Sequence, residues 1–175
     1  MHMAKKSKIM RMHYVLLLIL FSFFMGINIG GYFSIPSVIG NASQYSVSTE
    51  GYVPVQINVQ GSDLVMSSDC RALRVTVSDT QALSIAYGLE KRVYDRPLTH
   101  DIMKDIFDNY ELKVLSARVI FFENGIYFGD LVVQQGNKVL SIDSRPTDAI
   151  AIAVRYDIPV YFNQTLLEEH GTDTC

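Results

Sequence analysis

The stretch Leu112-Lys-Val-Leu-Ser-Ala-Arg-Val-Ile-Phe-Phe-Glu-Asn-Gly-Ile-Tyr-Phe-Gly-Asp-Leu-Val-Val133 reads as two strands around one turn. Leu112 to Phe122 is β-branched and aromatic, and Ile126 to Val133 repeats that character in the return direction. Asn124-Gly125 between them is a two-residue hairpin signal, because a type I′ turn needs two residues that tolerate positive φ. Gly136-Asn137 predicts a second tight turn, leading into Val139-Leu140-Ser141-Ile142. Three strands joined by hairpins are antiparallel neighbours, so a doubly wound parallel fold is excluded for this half of the chain.

Helices and further strands extend outward from this meander. Pro146 suits the first turn of a helix, and Ala149, Ile150, Ala153 and Val154 give that helix a face of mostly small residues. Pro159 to Phe162 predicts a short strand, with Asn163 capping a terminal helix through Glu169. Upstream, Val53, Val55, Ile57 and Val59 alternate with polar residues, as do Leu73, Val75 and Val77. That period of two marks half-buried strands, and Leu64-Val65-Met66 lies between them. Ser78-Asp79-Thr80-Gln81 has capping-box spacing and opens a helix with Ala82, Leu83, Ile85, Ala86 and Leu89 expected on its buried face. Thr99 is the expected N-cap of the next helix, which carries Ile102, Met103, Ile106, Phe107 and Tyr110 at helical spacing. The fold class is α+β, with a mainly antiparallel sheet and three to four helices.

Composition narrows the function classes. Apolar residues make up 49% and charged residues 19% of the 175, which excludes a disordered or low-complexity chain. Two cysteines are too few for a disulfide scaffold or a Cys-based zinc site. Outside the cell Cys70 and Cys175 could pair, although the last residue of a chain is a poor crosslink partner. Four of the fifteen basic residues precede residue 12, so the segment from residue 35 onward carries 11 positive and 18 negative side chains, a net of −7. A sequence-independent, charge-driven grip on nucleic acid is therefore disfavoured.

The N-terminus reads as a membrane address. Residues 1–12 are a basic tail, and residues 13–33 include the uncharged run Tyr14–Phe33. As a helix those twenty residues span about 30 Å, the thickness of a hydrocarbon core. The run is longer than a usual signal-peptide core, which favours a retained anchor over cleavage near Gly40-Asn41-Ala42. Positive charge before the span puts residues 1–12 in the cytoplasm and the C-terminal domain outside. Residues 34–52 read as a polar linker, 53–170 as the domain and 171–175 as a tail. Gly26 and Gly30 have the spacing that lets two membrane helices approach, so a homo-oligomer is one expectation. Asn41-Ala42-Ser43 and Asn163-Gln164-Thr165 fit the glycosylation acceptor pattern.

Two polar motifs stand at helix entrances: Arg96-Pro97-Leu98-Thr99-His100-Asp101 and Asp143-Ser144-Arg145-Pro146-Thr147-Asp148. Helix N-termini collect free N–H groups and a positive dipole, so both positions suit anions. Together with the run Asp143 to Ala153, and with Pro159 after Arg155, these motifs resemble the bifunctional nuclease domain family over about residues 53–170. The resemblance implies a compact α+β domain that hydrolyses phosphodiester bonds of DNA and RNA. On that implication His100, Asp101, Asp143 and Asp148 are the candidate catalytic residues, and Arg96, Arg145 and Thr99 the candidate phosphate ligands. The family commonly has a Glu where Gln81 stands here, and is usually found without a membrane span.

The chemistry is consistent with that implication. Asp143 and Asp148 lie five residues apart across a strand–helix junction and could share a hard divalent cation, magnesium or manganese, of the kind phosphodiester hydrolysis commonly uses. His100 could serve as base or ligand. Lys91, Arg92 and Arg96 beside Tyr87 and Tyr94 have the composition of a single-strand binding patch, or of a solvated helix end. The competing reading makes these Asp and Arg side chains an ionic network that fixes the fold or an interface. The chain is then a non-catalytic binding or oligomerisation module.

Overall fold

A computed structural model describes residues 46–175. The expected membrane span over residues 13–33, the cytoplasmic tail and the acceptor Asn41 lie outside the described residues. No helix among the described residues is long and apolar enough to cross a membrane.

Strands β1 (Tyr52–Gln60), β2 (Asp63–Ser68) and β3 (Arg71–Thr76) form an antiparallel meander. Helices α1 (Asp79–Leu89) and α2 (Thr99–Asn109) follow. The second meander is β4 (Lys113–Glu123), β5 (Ile126–Gln135) and β6 (Lys138–Ser144), with Asn124, Gly125 and Gly136 at positive φ in its turns. Then come α3 (Pro146–Tyr156), β7 (Val160–Asn163), α4 (Gln164–His170) and the two-residue β8 (Thr172–Asp173). The strands lie in the order β6-β5-β4-β7-β1-β2-β3-β8. Every pair is antiparallel except β4 with β7. The α+β class with four helices among the described residues is as the hydrophobic pattern implies.

β1 joins the two halves. Its residues 52–55 pair with β7, and residues 56–60 pair with β2. Pro54 therefore sits where only one neighbour pairs with the strand, so its missing N–H breaks no second ladder. Ala117, Val119, Leu131 and Val133 on β4 and β5 face the same core as Ile150, Ile152 and Ala153 of α3. In α3 residues 149–155 are all buried, so this helix is the centre of the domain rather than a half-exposed surface helix.

Three sequence expectations need correction. In α1 the buried residues are Ala82, Ser84, Ile85 and Gly88, while Leu83 and Leu89 lie outside. The cause is close approach: a Cβ on Gly88 would stand 2.7 Å from Val154 Cγ2 and 2.9 Å from Arg155 Nη1. Small residues face α3 because nothing larger fits. In α2 no residue is fully buried, and Ile102, Ile106 and Tyr110 are exposed. Only Met103 and Phe107 reach the core, because the described residues place no element over the helix's outer side. Residues 171–175 are not a tail. β8 pairs with β3 through Arg71–Asp173 and Ala72–Thr172, and Cys70 is bonded to Cys175. The backbone pairing holds the terminus beside Cys70, which removes the fraying that made the crosslink unexpected. Asn163 caps α4, accepting from Leu166 N and donating to the Ile120 carbonyl, so its amide is committed inside the fold.

The disulfide spans 105 residues, and crosslinks that close long loops restrict the unfolded chain most. Replacing Cys175 by Ser lowers unfolding free energy by about 2–4 kcal/mol. Urea titration checks this, and the same loss appears in the unaltered chain under reductant.

Candidate functional site

The two polar motifs meet. A cleft of about 770 Å³ opens between the start of α1, the start of α2 and the β6–α3 junction. Thr80, Gln81 and Ser84 form one side, Leu98, Thr99, His100 and Met103 the second, and Ile142 to Arg145 with Asp148 the third. Each wall has a local reason. Ser78 and Gln81 close a capping box, with Gln81 N donating to Ser78 Oγ and Ser78 N to Gln81 Oε1. That leaves Gln81 Nε2 to donate to Thr147 Oγ1 at 2.9 Å, tying the entrance of α1 to that of α3. Pro146 fixes the first turn of α3, and its ring approaches Gly129, where a Cβ would stand 2.7 Å from the Arg118 carbonyl.

His100 is the most constrained side chain in the cleft. Its Nδ1 lies 2.8 Å from Ser84 Oγ, and its Nε2 lies 3.5 Å from Asp148 Oδ1. Arg155 Nη2 donates to the same Ser84 Oγ at 3.4 Å. Ser84 Oγ is thus shared between Arg155 and Nδ1, and the Asp148 carboxylate beside Nε2 favours the tautomer with the ring proton there. Burial pushes the His100 pKa below 6.5, more strongly than the Asp148 carboxylate raises it, and the Arg155 charge adds to the lowering. His100 thus favours the neutral ring, with Nε2 facing a carboxylate at 3.5 Å.

Arg155 marks the resemblance only by its place before Pro159 and is not among the candidate site residues, yet it organises the site. Its Nε donates to Asp101 Oδ1 at 2.7 Å, and its Nη1 donates to the Ser84 and Ala151 carbonyls. The side chains of this pair are only 4% and 13% exposed. Asp101 therefore does not line the cleft as a catalytic acid. It also accepts from Leu98 N at 2.8 Å, so the cap of α2 comes from Asp101 while Leu98, not Thr99, holds the N-cap position. Burial pushes the Asp101 carboxyl up, but bonds from Arg155 and Leu98 N–H outweigh it and hold the group below 3.8.

The other candidates divide. Arg145 Nε and Nη2 donate to the two oxygens of Asp148 at 2.7 and 3.1 Å, which raises the Arg145 pKa. Asp143 and Thr99 are exposed on the cleft wall. Arg96 is exposed in the loop before α2 and does not line the cleft. Its neighbours in the basic stretch are already engaged: Lys91 pairs with Asp157, and Arg92 pairs with Glu90 and covers the Tyr87 ring. The α3 terminus offers fewer donors than expected, because Pro146 has no N–H and those of Asp148 and Ala149 donate to the Arg145 carbonyl. Ser144 Oγ is buried beside the cleft with no hydrogen-bond partner among the described residues. Its place inside the second motif was the available signal.

The donor set as it stands does not suit a divalent cation. Both Asp148 oxygens are engaged by Arg145 and one faces His100, and the described residues hold no group of three or more His, Cys, Asp or Glu arranged for a metal.

Residues 64–174 match the family profile described as Bifunctional nuclease domain. The chain belongs to that family. It is 29% identical over 101 residues to an uncharacterized Mycobacterium tuberculosis protein, MT1877, covering 58% of this chain and 60% of that one. It is 35% identical over 79 residues to Bifunctional nuclease 2 of Arabidopsis thaliana, covering 43% of this chain and 24% of the plant protein. To Bifunctional nuclease 1 of Oryza sativa subsp. indica it is 25% identical over 114 residues, covering 63% and 32%. The chain thus matches under two thirds of the mycobacterial relative's length and a third or less of the two plant proteins' lengths.

The buried neutral imidazole has a consequence for stability. His100 is held below 6.5 in the folded state, so the unfolded chain takes its proton first as pH falls through that value. Stability therefore declines just below pH 6.5, until the folded ring also protonates. Asp101, held below 3.8, keeps its contribution above that value and loses it only as pH falls through its folded pKa. Urea titrations across pH will show the decline near 6.5 in the unaltered chain and a flattened profile there in His100→Gln. An unchanged slope in the variant would remove His100 as its source.

Proposed function

We propose that this cleft binds a phosphodiester of nucleic acid and hydrolyses it. The carrying observation is the chain His100–Asp148–Arg145, which sets a neutral donor, a carboxylate and a forked guanidinium at one cleft wall. Family membership and the nuclease names of the plant relatives support the reaction class. Arg145 exchanges Asp148 for two phosphate oxygens, a match its planar fork allows. Asp148, with His100 Nε2 3.5 Å from its Oδ1, then accepts a proton from water. The water oxygen bonds to phosphorus, and the sugar oxygen leaves with a proton from solvent. Asp143 and Ser144 face the same space. No step is routed through a metal, because the donor set does not suit one.

The test is cleavage of end-labelled single-stranded DNA and RNA by the full chain, with magnesium, with manganese and with chelator. Asp148→Asn loses at least ~10²-fold in rate, the scale of a positioned general base. Arg145→Ala raises KM more than it lowers kcat. Activity untouched by either change would remove the assignment.

A second reading rests on Gln81, a neutral amide at a position where the family commonly carries a carboxylate, here committed to Ser78 and Thr147. On it the cleft binds an anion without turning it over. Tight binding of a non-cleavable oligonucleotide with no cleavage under any of the three conditions selects this reading.

The Cys70–Cys175 bond supports an extracytoplasmic domain, since such bonds persist in oxidising compartments. The apolar run at residues 13–33 supports a membrane anchor for it. Alkylating intact cells before non-reducing electrophoresis will leave both cysteines unmodified. Alkylated thiols would place the domain in the cytoplasm.

A further inference from the structure

The β6 edge of the sheet leaves three apolar side chains exposed between Lys138 and Asp143. β6 has β5 as its only neighbour among the described residues, leaving its outer backbone groups unpaired. Val139, Leu140 and Ile142 on this strand are 38%, 56% and 42% exposed. Proteins normally blunt such edges with prolines, bulges or inward charges. β6 has no proline, and its pairing with β5 runs without a register shift.

α2 approaches this edge at two points. At its start Met103 and Ile142 share the cleft wall, and at its end the Tyr110 carbonyl accepts from Gln135 Nε2, whose residue pairs with Lys138. Its exposed Ile102, Ile106 and Tyr110 repeat every four residues. The open strand, with Val139, Leu140 and Ile142 exposed on it, is the apolar margin that needs a cover.

We infer that a second copy of this chain covers the margin, by antiparallel pairing of β6 with β6 about a two-fold axis normal to the sheet. The strand's own pattern selects the occupant and the register. Under such an axis, opposed residues share a face. Ser141 is the midpoint of Lys138–Ser144, so an axis there pairs the strand over its whole length. It opposes Leu140 to Ile142 of the partner subunit, twice over, joining both exposed apolar residues of that face. The same axis sets the two α2 helices on one side of the joined sheet.

The register also places Lys138 of the partner subunit opposite Ser144. Leu140, Ile142 and Ser144 alternate on one face of β6, opposite Val133, Leu131 and Gly129 of β5, and Lys138 continues that series. Ile142 and Ser144 line the cleft. Each cleft therefore gains a cation from the other copy, close to where the phosphodiester is proposed to sit. This last step rests on the phosphodiester reading; the pairing does not.

The test uses the full chain in mild detergent micelles. With its two native cysteines bonded to each other, an added cysteine is the single free thiol. Under mild oxidation Ser141→Cys crosslinks to a dimer, because residues opposed across an antiparallel pair hold Cβ atoms about 4.5–5.5 Å apart. Lys138→Cys does not crosslink, since its two copies lie about 20 Å apart in this register. Leu140→Glu, at an exposed position, abolishes the Ser141→Cys crosslink and leaves circular dichroism unchanged. No crosslink from Ser141→Cys, equal crosslinking from Lys138→Cys, or a crosslink that survives Leu140→Glu would each overturn the pairing. Lys138→Ala, with the Ser141→Cys crosslink intact, weakens oligonucleotide binding at least threefold. Unchanged binding alongside an intact crosslink would overturn the donated cation and leave the interface standing. An unaltered chain that binds no oligonucleotide would count against the phosphodiester reading and the donated cation with it.

Discussion

Arg155 is a guanidinium shut away from water, so the protein must supply the hydrogen bonds that solvent would have given it. It does so from three helices. Asp101 comes from α2, the Ser84 carbonyl and hydroxyl from α1, and the Ala151 carbonyl from α3 itself. Removing one partner from such a buried pair typically costs about 3–5 kcal/mol, because the remaining charge is left uncompensated. The same network sets the cleft. Arg155 and His100 share Ser84 Oγ, and His100 turns its Nε2 toward Asp148. The helix packing and the polar chemistry thus depend on one side chain. The small residues of α1 are part of that requirement, since a Cβ at Gly88 would press on Arg155.

Much of the fold could be read from local pattern. The second meander was written in its turns, because Asn124, Gly125 and Gly136 stand where the chain needs positive φ, which Gly and Asn accept at least cost. The capping box of α1 and the proline entrance of α3 were legible for the same reason: each acts within four residues. Long-range pairing was not legible. The parallel contact of β4 with β7 and the placement of β8 beside β3 depend on how two meanders dock. The faces of α1 and α2 misled through a common cause. Periodicity marks which residues share a face, but it does not say whether an element exists to cover that face. In α1 the covered face is the small one, and in α2 the apolar stripe is left partly open.

The site divides along the same line. His100, Asp148 and Arg145 could be picked out because charged side chains at helix entrances are conspicuous, and folding does bring the two motifs to one cleft. Arg96 belonged to the same motif by spacing, yet the loop turns it to solvent. Nothing in local pattern gives Ser84 or Arg155 a role in the site, because each sits inside a helix among apolar residues, even though Arg155 precedes Pro159 in the stretch that carries the resemblance. Their importance arises from burial, and burial is a property of the packed molecule.

Charge poses the remaining physical problem. A segment with a net charge of −7 gains nothing from long-range attraction to a polyanion. On the proposed reading, recognition of phosphate and the proton transfer that follows are short-ranged, through a fork that would replace one anion by another. Arg145 already holds a carboxylate in the geometry a phosphate would take. The resting ion pair is exposed on its arginine side and so is weak, which keeps the exchange inexpensive. Asp148 released from Arg145 would not be left alone, because His100 Nε2 stands 3.5 Å from its Oδ1. The neutral ring suits this role better than a charged one. An imidazolium would bind the carboxylate more tightly and lower its basicity at the moment a proton has to be taken from water.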